Sequence, residues 1–151
     1  MSTDNPLLRL TLVTLLGEKV NEDVYEVILP TTTGEISVFP GHESLVTLAR
    51  PGVITVRRRK TDPNELFEYF ATSGGIIEIN ADHVKILVDE ADHSDDIIEA
   101  ETQKALERAI TMRDNASDQV ELEKATQLVD RHQVRLKVAG LRRHKKPTQY
   151  K

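Results

Sequence analysis

Histidines, acids and bases set at ligand or relay spacing are where chemistry would be expected, and this chain offers few of them. Its five histidines, His42, His83, His93, His132 and His144, are scattered, and no two share a metal-ligand spacing, so no metal is assigned. Cysteine is absent, which removes thiolate nucleophiles, thiolate metal sites and disulfides together. The sequence has no GxxxxGKS/T phosphate loop, no GxGxxG turn, no HExxH pair and no GxSxG elbow, so the common routes to nucleotide, metal and acyl chemistry are missing. Neither a catalytic residue nor a bound cofactor is expected. Arg57, Arg58, Arg59 and Lys60 form a basic run at a strand end, where alternate residues point to opposite faces, and they read as a solvated edge rather than a nucleic-acid patch. Aromatic residues make up 4% of the chain, too few to build stacking platforms for single strands.

Charge is the stronger signal. The formal net charge of -5 hides a split, because all 25 acids lie at or before Asp130, whereas eight of the 20 basic residues follow it. That leaves about +8 beyond Asp130 and about -13 before it, an asymmetry that calls for an acidic partner for the basic tail. No apolar run approaches the roughly 20 residues of a membrane helix, and Asp4 stands where a signal peptide would carry its basic region. A soluble protein of a reducing compartment is the expectation.

The elements that must position any site fall into two halves with different periods. From Leu8 to about Glu90 apolar and polar residues alternate: Leu8, Leu10 and Leu12; Ile54 and Val56; Phe67 and Tyr69; Ile77 and Ile79; Val84, Ile86 and Val88. Turn residues separate them, at Gly17, Thr33-Gly34, Pro40-Gly41, Pro51-Gly52, Asp62 to Asn64, Gly74-Gly75 and Asn80 to Asp82. Many short half-buried strands predict a sandwich or barrel. Beyond Glu90 glycine vanishes until Gly140; Ser94, Asp95 and Asp96 offer N-cap oxygens, and Ile98, Ala105, Ala109 and Met112 recur at helical spacing. A polar break at Asn115 to Asp118 precedes a second stripe of Leu122, Ala125, Val129, Leu136 and Ala139, with His132 in register, ending near Lys145 ahead of Pro147. The expected fold is therefore α+β: an N-terminal antiparallel β-sandwich over residues 1–91, then an antiparallel two-helix hairpin with a basic tail over residues 92–151. The thin, alanine-rich helix faces predict reversible docking of the hairpin. Met1 to Pro6 and Pro147 to Lys151 are expected to be disordered.

Singly, the glycine and proline positions are turn chemistry; in order they carry a resemblance. The run Gly34-Glu35-Ile36-Ser37-Val38-Phe39-Pro40-Gly41-His42, followed by Arg50-Pro51-Gly52-Val53-Ile54, resembles the segment that marks epsilon subunits of F-type ATP synthases. Ala71-Thr72-Ser73-Gly74-Gly75-Ile76-Ile77-Glu78-Ile79 and then His83 to Ala91 resemble the strand pair that closes the sandwich in that family, and Glu107-Arg108-Ala109 matches a triplet of its first C-terminal helix. The resemblance runs from about Leu8 to Leu141.

It implies a non-catalytic rotor subunit that couples proton flow to ATP synthesis, peripheral to the cytoplasmic face of a bacterial plasma membrane or the equivalent organelle membrane. The implied partners are the gamma subunit of the central stalk, the membrane ring of c subunits, and the alpha and beta subunits of the catalytic head. Thr33, Gly34, Glu35 and His42 match the ring-contacting segment, on one end of the sandwich. Arg131, Arg135 and Arg142 belong to the helix pair that in this family can extend and restrain ATP hydrolysis. Some members bind ATP on the folded hairpin through an I-D-x-x-R-A pattern, but here Ile97 to Thr102 fill those positions, with Ile98 for the acid and Glu101 for the arginine, so no nucleotide is expected to bind. The rival readings are a nucleic-acid-binding module using the basic tail and an enzyme built on a sandwich.

Overall fold

The computed structural model describes residues 6–145. The segments expected to be disordered therefore lie, apart from Pro6, outside the described residues.

Among the described residues ten strands precede two α-helices. They are β1 Leu8–Thr14, β2 Gly17–Val24, β3 Glu26–Thr31, β4 Gly34–Val38, β5 Leu45–Ala49, β6 Gly52–Arg57, β7 Glu68–Thr72, β8 Gly75–Ile79, β9 His83–Val88 and β10 Ala91–His93. Their order is β10-β7-β6-β3-β5-β8-β9-β1-β2, with β4 attached to β3 as a separate edge. Only Thr31 and Ala49 pair β3 with β5, so the sheet is nearly cut there and folds over on itself around one core. The even-numbered leucines of β1, Val27 and Leu29 of β3, Ile77 and Ile79 of β8, and Val84, Ile86 and Val88 of β9 fill that core, as their alternation requires. Every pairing is antiparallel except one: β1 runs parallel to β9, from Arg9 against His83 to Val13 against Leu87.

Two glycines are needed where they stand. Gly34 closes the β3–β4 turn at a φ of 127°, where a Cβ is strained. At Gly75 a Cβ would come within 2.0 Å of the Leu87 carbonyl oxygen, so only glycine lets β8 lie this close to β9.

The helical half differs from its sequence expectation at the start. Ser94–Asp96 forms a 3-10 turn, capped by His93 Nδ1, which accepts from the Asp95 N–H at 3.0 Å. Helix α1, Glu99–Asp114, begins only after it, with Ile98 at the cap position and no side-chain cap. Its buried face is Thr102, Leu106 and Ala109 rather than the stripe through Ile98 and Met112, both of which are exposed. Thr102 serves on this face because its hydroxyl donates to the Ile98 carbonyl at 3.0 Å, leaving the methyl to pack. Helix α2, Gln119–Lys145, starts after the expected polar break, where Asp118 accepts from the Glu121 N–H at 2.9 Å and Glu121 reaches back to the Ser117 N–H at 3.0 Å.

Roughly 40 Å long at 1.5 Å per residue, α2 outreaches α1 and does two jobs. Its first half packs Val129 on Leu106 and Ala109 of α1. Its second half packs Val138 and Ala139 on Val53 of β6, Ala71 of β7 and Ile97. Leu122 is exposed, so the buried stripe begins at Ala125. The hairpin is thus carried on one outer face of the sandwich chiefly by α2.

Candidate functional site

Three surfaces stand out once the core is filled. The first is the outer face of the other half of the sheet, which no element of the described chain covers. Register places Leu48 of β5 opposite Ile76 of β8, Ile76 opposite Leu87 of β9, and Leu87 opposite Val13 of β1. These four side chains point away from the core and form an apolar row across four strands. Leu48 is 56% exposed, Ile76 43% and the neighbouring Val46 71%. One step beyond Val13, at the β1–β2 turn, Leu15 and Leu16 are 79% and 93% exposed. Apolar side chains set this closely on a sheet face mark a docking surface more than a solvated one. The sequence showed the alternation here, but not which face stayed bare.

The second surface is β4 with its flanking loops, where the expected ring-contacting residues lie. The structure does not bring all four together. Thr33, Gly34 and Glu35 form the β3–β4 turn, held by the Thr31 hydroxyl donating to the Gly34 carbonyl at 2.5 Å and by the Thr32 N–H donating to the Leu48 carbonyl at 3.2 Å. His42 lies past the other end of β4, where the Gly41 N–H donates to the Ala81 carbonyl at 2.7 Å and His42 Nδ1 donates to the Glu43 carbonyl at 2.6 Å. At about 3.3 Å per residue, roughly 13 Å of strand separates the two loops. What they share is not one end of the sandwich but the outer edge of β4, whose only partner among the described residues is β3.

The third surface is the seam between hairpin and sandwich, and here the three candidate arginines converge. Arg131 Nε lies 3.0 Å from Glu90 Oε1, Arg135 pairs with Asp92, and Arg142 donates from Nη1 to the Ser94 carbonyl at 2.8 Å. Beside them His132 has its Nδ1 buried without a hydrogen-bond partner. Burial lowers its pKa, and Arg131, Arg135 and Arg108 lower it further against a weaker opposing pull from Glu90. The seam is not tightly filled: a groove of about 560 Å³ runs along it between Ser73, Gly74 and Glu90 on one side and Lys124, Leu128 and Arg131 on the other.

The basic run is similarly engaged. Arg57 pairs with the buried Glu26 at 2.6 Å and lies over the rings of Tyr25 and Phe67, at 5.6 and 5.2 Å from their centroids. Arg58 bridges Glu22 and Glu68, both at 2.5 Å, and its pKa is raised by hydrogen bonds first to Glu22 and then to Glu68. Burial pushes Glu68 up, but Arg58 and His93 together hold it below the usual carboxylate value. Only Arg59 and Lys60 of the run are exposed. Among the described residues no group of histidines and acids could hold a metal ion, and no helix is long and apolar enough to cross a membrane.

A folded-over sheet with one outer face bare and a two-helix hairpin laid on the other defines a subunit of the sandwich-and-hairpin class, built from surfaces rather than a cleft. Residues 7–94 match the family described as ATP synthase, Delta/Epsilon chain, beta-sandwich domain. The chain is 33% identical over 139 residues to the ATP synthase epsilon chain of Herpetosiphon aurantiacus, covering 91% of this chain and 98% of that one. It is 32% identical to that of Staphylococcus aureus, over 89% and 98% of the two chains, and 35% identical to that of Rippkaea orientalis, over 78% and 85%. The chain belongs to the ATP synthase epsilon subunit family. Two solved structures share its fold. One, of the Euglena gracilis mitochondrial ATP synthase, OSCP/F1/c-ring in rotational state 1, matches at a TM-score of 0.72 and 23% identity, over 88% of this chain and 82% of that one. The other, of the Tetrahymena thermophila mitochondrial ATP synthase central stalk and c-ring, matches at 0.60 and 14%, over 87% and 96%.

Proposed function

We propose that the chain is a non-catalytic rotor subunit of the central stalk, whose bare sheet face docks on the gamma subunit, whose β4 edge meets the polar loops of the membrane ring, and whose hairpin restrains ATP hydrolysis when it leaves the sandwich. Coupling proton flow to ATP synthesis is then a matter of transmitting torque, and membrane association is peripheral, through the ring. The observation that carries this reading is the row Leu48, Ile76, Leu87 and Val13, a contiguous apolar strip on an outer face that the described residues leave uncovered. Fully burying side chains of this size is worth about 1.5 to 3 kcal/mol each, enough for a few of them to fix a partner. The rival reading, a nucleic-acid-binding module using the basic tail, loses support because Arg131 and Arg135 already face carboxylates of the sandwich. Affinity capture of the full chain from its own membranes tests the proposal: gamma and ring subunits should be recovered with it, and recovery of the chain without ATPase subunits would overturn it.

A further inference from the structure

We propose that the hairpin is latched to the sandwich by a zipper in which three arginines of one helix stripe meet two carboxylates and then a backbone carbonyl along the segment from Glu90 to Ser94. Arg131, Arg135 and Arg142 are spaced four and seven apart, so they lie in one stripe along α2. Their acceptors, Glu90, Asp92 and the Ser94 carbonyl, are spaced two apart on the segment that contains β10, so the two carboxylates share one strand face. Between the two ion pairs the spacings agree in length, four helical residues rising about 6 Å and two extended residues about 7 Å, and the long Arg142 side chain spans the difference at the third step. A slip of one residue on either side would turn these partners away from one another.

The latch sits where release must occur. α1 packs on α2 rather than on the sandwich, so α2 is the main attachment of the whole hairpin. The apolar part of that attachment is Val138 and Ala139, with Val134 and Leu141 partly buried beside them, against Val53, Tyr69, Ala71 and Ile97, and next to it lies the open groove along Ser73, Gly74 and Lys124. These apolar contacts hold the helix whatever the salt, and the paired charges add its register and the salt-dependent part of the attachment. Arg131 and Glu90 are each more than two-fifths exposed, so ions in solution reach the outer end of the latch, while Arg135 and Asp92 are better shielded. Salt therefore loosens the zipper from the Arg131 end. The same arginines cannot hold the sandwich and an acidic surface elsewhere at once, which makes the latch a competitor of any such partner.

This deepens the proposed restraint of hydrolysis and rests on it for its regulatory meaning, but the latch itself is read in the isolated full chain. Amide hydrogen exchange at residues 91–93 and 130–142 should accelerate at least about tenfold in Asp92→Lys, while β1, β8 and β9 exchange as before. Adding Arg135→Asp to that variant should restore exchange to within about threefold of the unmodified chain. Failure of the first change to loosen α2, or of the second to restore it, would overturn the zipper. On the unmodified chain, raising sodium chloride from 0.05 to 0.5 M should accelerate exchange of the same amides, and a flat response would overturn it independently of any substitution. Opening by salt with no change in hydrolysis by the complex would sink the regulatory reading and leave the latch standing.

Discussion

Leu48 of β5 stands directly across from Ile76 of β8, and both side chains point out of the sandwich rather than into it. Neither contributes to the core, so charging them should spare the isolated fold and strike only what docks there. Leu48→Asp or Ile76→Asp is expected to leave thermal unfolding of the free chain within a few degrees of the original. Association with the central stalk should weaken about ten- to a hundredfold, the equivalent of losing 1.5 to 3 kcal/mol of apolar burial. A titration of the free chain into stalk lacking it measures this; unchanged affinity would move the docking face elsewhere.

The separation of the Thr33 to Glu35 turn from His42 gives the ring contact a testable shape. If the β4 edge lies along the ring, cysteines placed at Glu35 and at His42 should both crosslink to cysteines in the polar loops of the ring, and a cysteine at the bare-face position Val46 should not. Crosslinking from Glu35 alone would mean that only the β3–β4 turn touches the ring. Crosslinking from Val46 alone would put the wrong face down.

His132 should make docking of the hairpin sensitive to pH. Burial and then Arg131, Arg135 and Arg108 hold its docked pKa below the ordinary 6.5, so the released hairpin takes up a proton more readily than the docked one. Docking is undiminished above about pH 6.5, weakens as pH falls through the interval below it, and levels off once pH passes the depressed docked value. Hydrogen exchange of residues 130–142 should therefore be faster at pH 5.5 than at pH 7.5, after correction for intrinsic rates. In His132→Leu, which keeps the volume without the proton, most of that difference should disappear. Persistence of the full difference would assign it to groups other than His132.

Much of the sandwich was legible because its core strands alternate strictly: β1, β8 and β9 each send every second residue inward. β2 was harder to read, since Val20 and Val24 are its only buried residues and a bulge after Leu12 shifts its register. β5 is apolar along most of its length yet faces outward, so periodicity could not separate a docking face from a core face. The arginines were visible as charge, and their partners were not. Glu90 and Asp92 lie some 40 residues away in sequence, and a surplus of cations beyond Asp130 reads as a search for an external acid even when the sandwich supplies one. The helix start was misplaced for a local reason: Ser94, Asp95 and Asp96 are good capping residues, but Ser94 is fully buried and its carbonyl accepts from both the Ile97 N–H at 3.3 Å and Arg142, so the segment closes as a 3-10 turn.

Nucleotide binding on the hairpin should be absent or very weak. At the two positions where a carboxylate and an arginine would be needed, Ile98 offers no polar group and the exposed Glu101 repels phosphate. Calorimetry of the free chain at millimolar ATP should show no saturable heat. Tight binding with protection of α1 from exchange would place the nucleotide on residues other than these.

Removing Gln119 to Lys151 tests the regulatory role most directly, because it deletes the attachment and the latch together. The sandwich should survive, since its core contains no residue beyond Ala91, and the truncated chain should still assemble through its bare face. The cost falls on Val53, Ala71 and Ile97, which lose their cover, so some loss of stability and solubility is expected, of the order of the ~0.8 kcal/mol per exposed methylene that burial supplied. ATP hydrolysis by the complex should rise, because no second helix remains to leave the sandwich and engage the head. Salt separates this from a passive brace. In the intact complex, higher ionic strength weakens the hold of the arginines on Glu90 and on any acidic surface of the head alike, each exposed pair being worth only about 0.2 to 1 kcal/mol, but the docked helix keeps its apolar contacts with Val53, Ala71 and Ile97. The restraint should therefore weaken as salt rises, and the rates of intact and truncated complexes should converge. Equal rates at both low and high salt would mean that the hairpin never leaves the sandwich to inhibit.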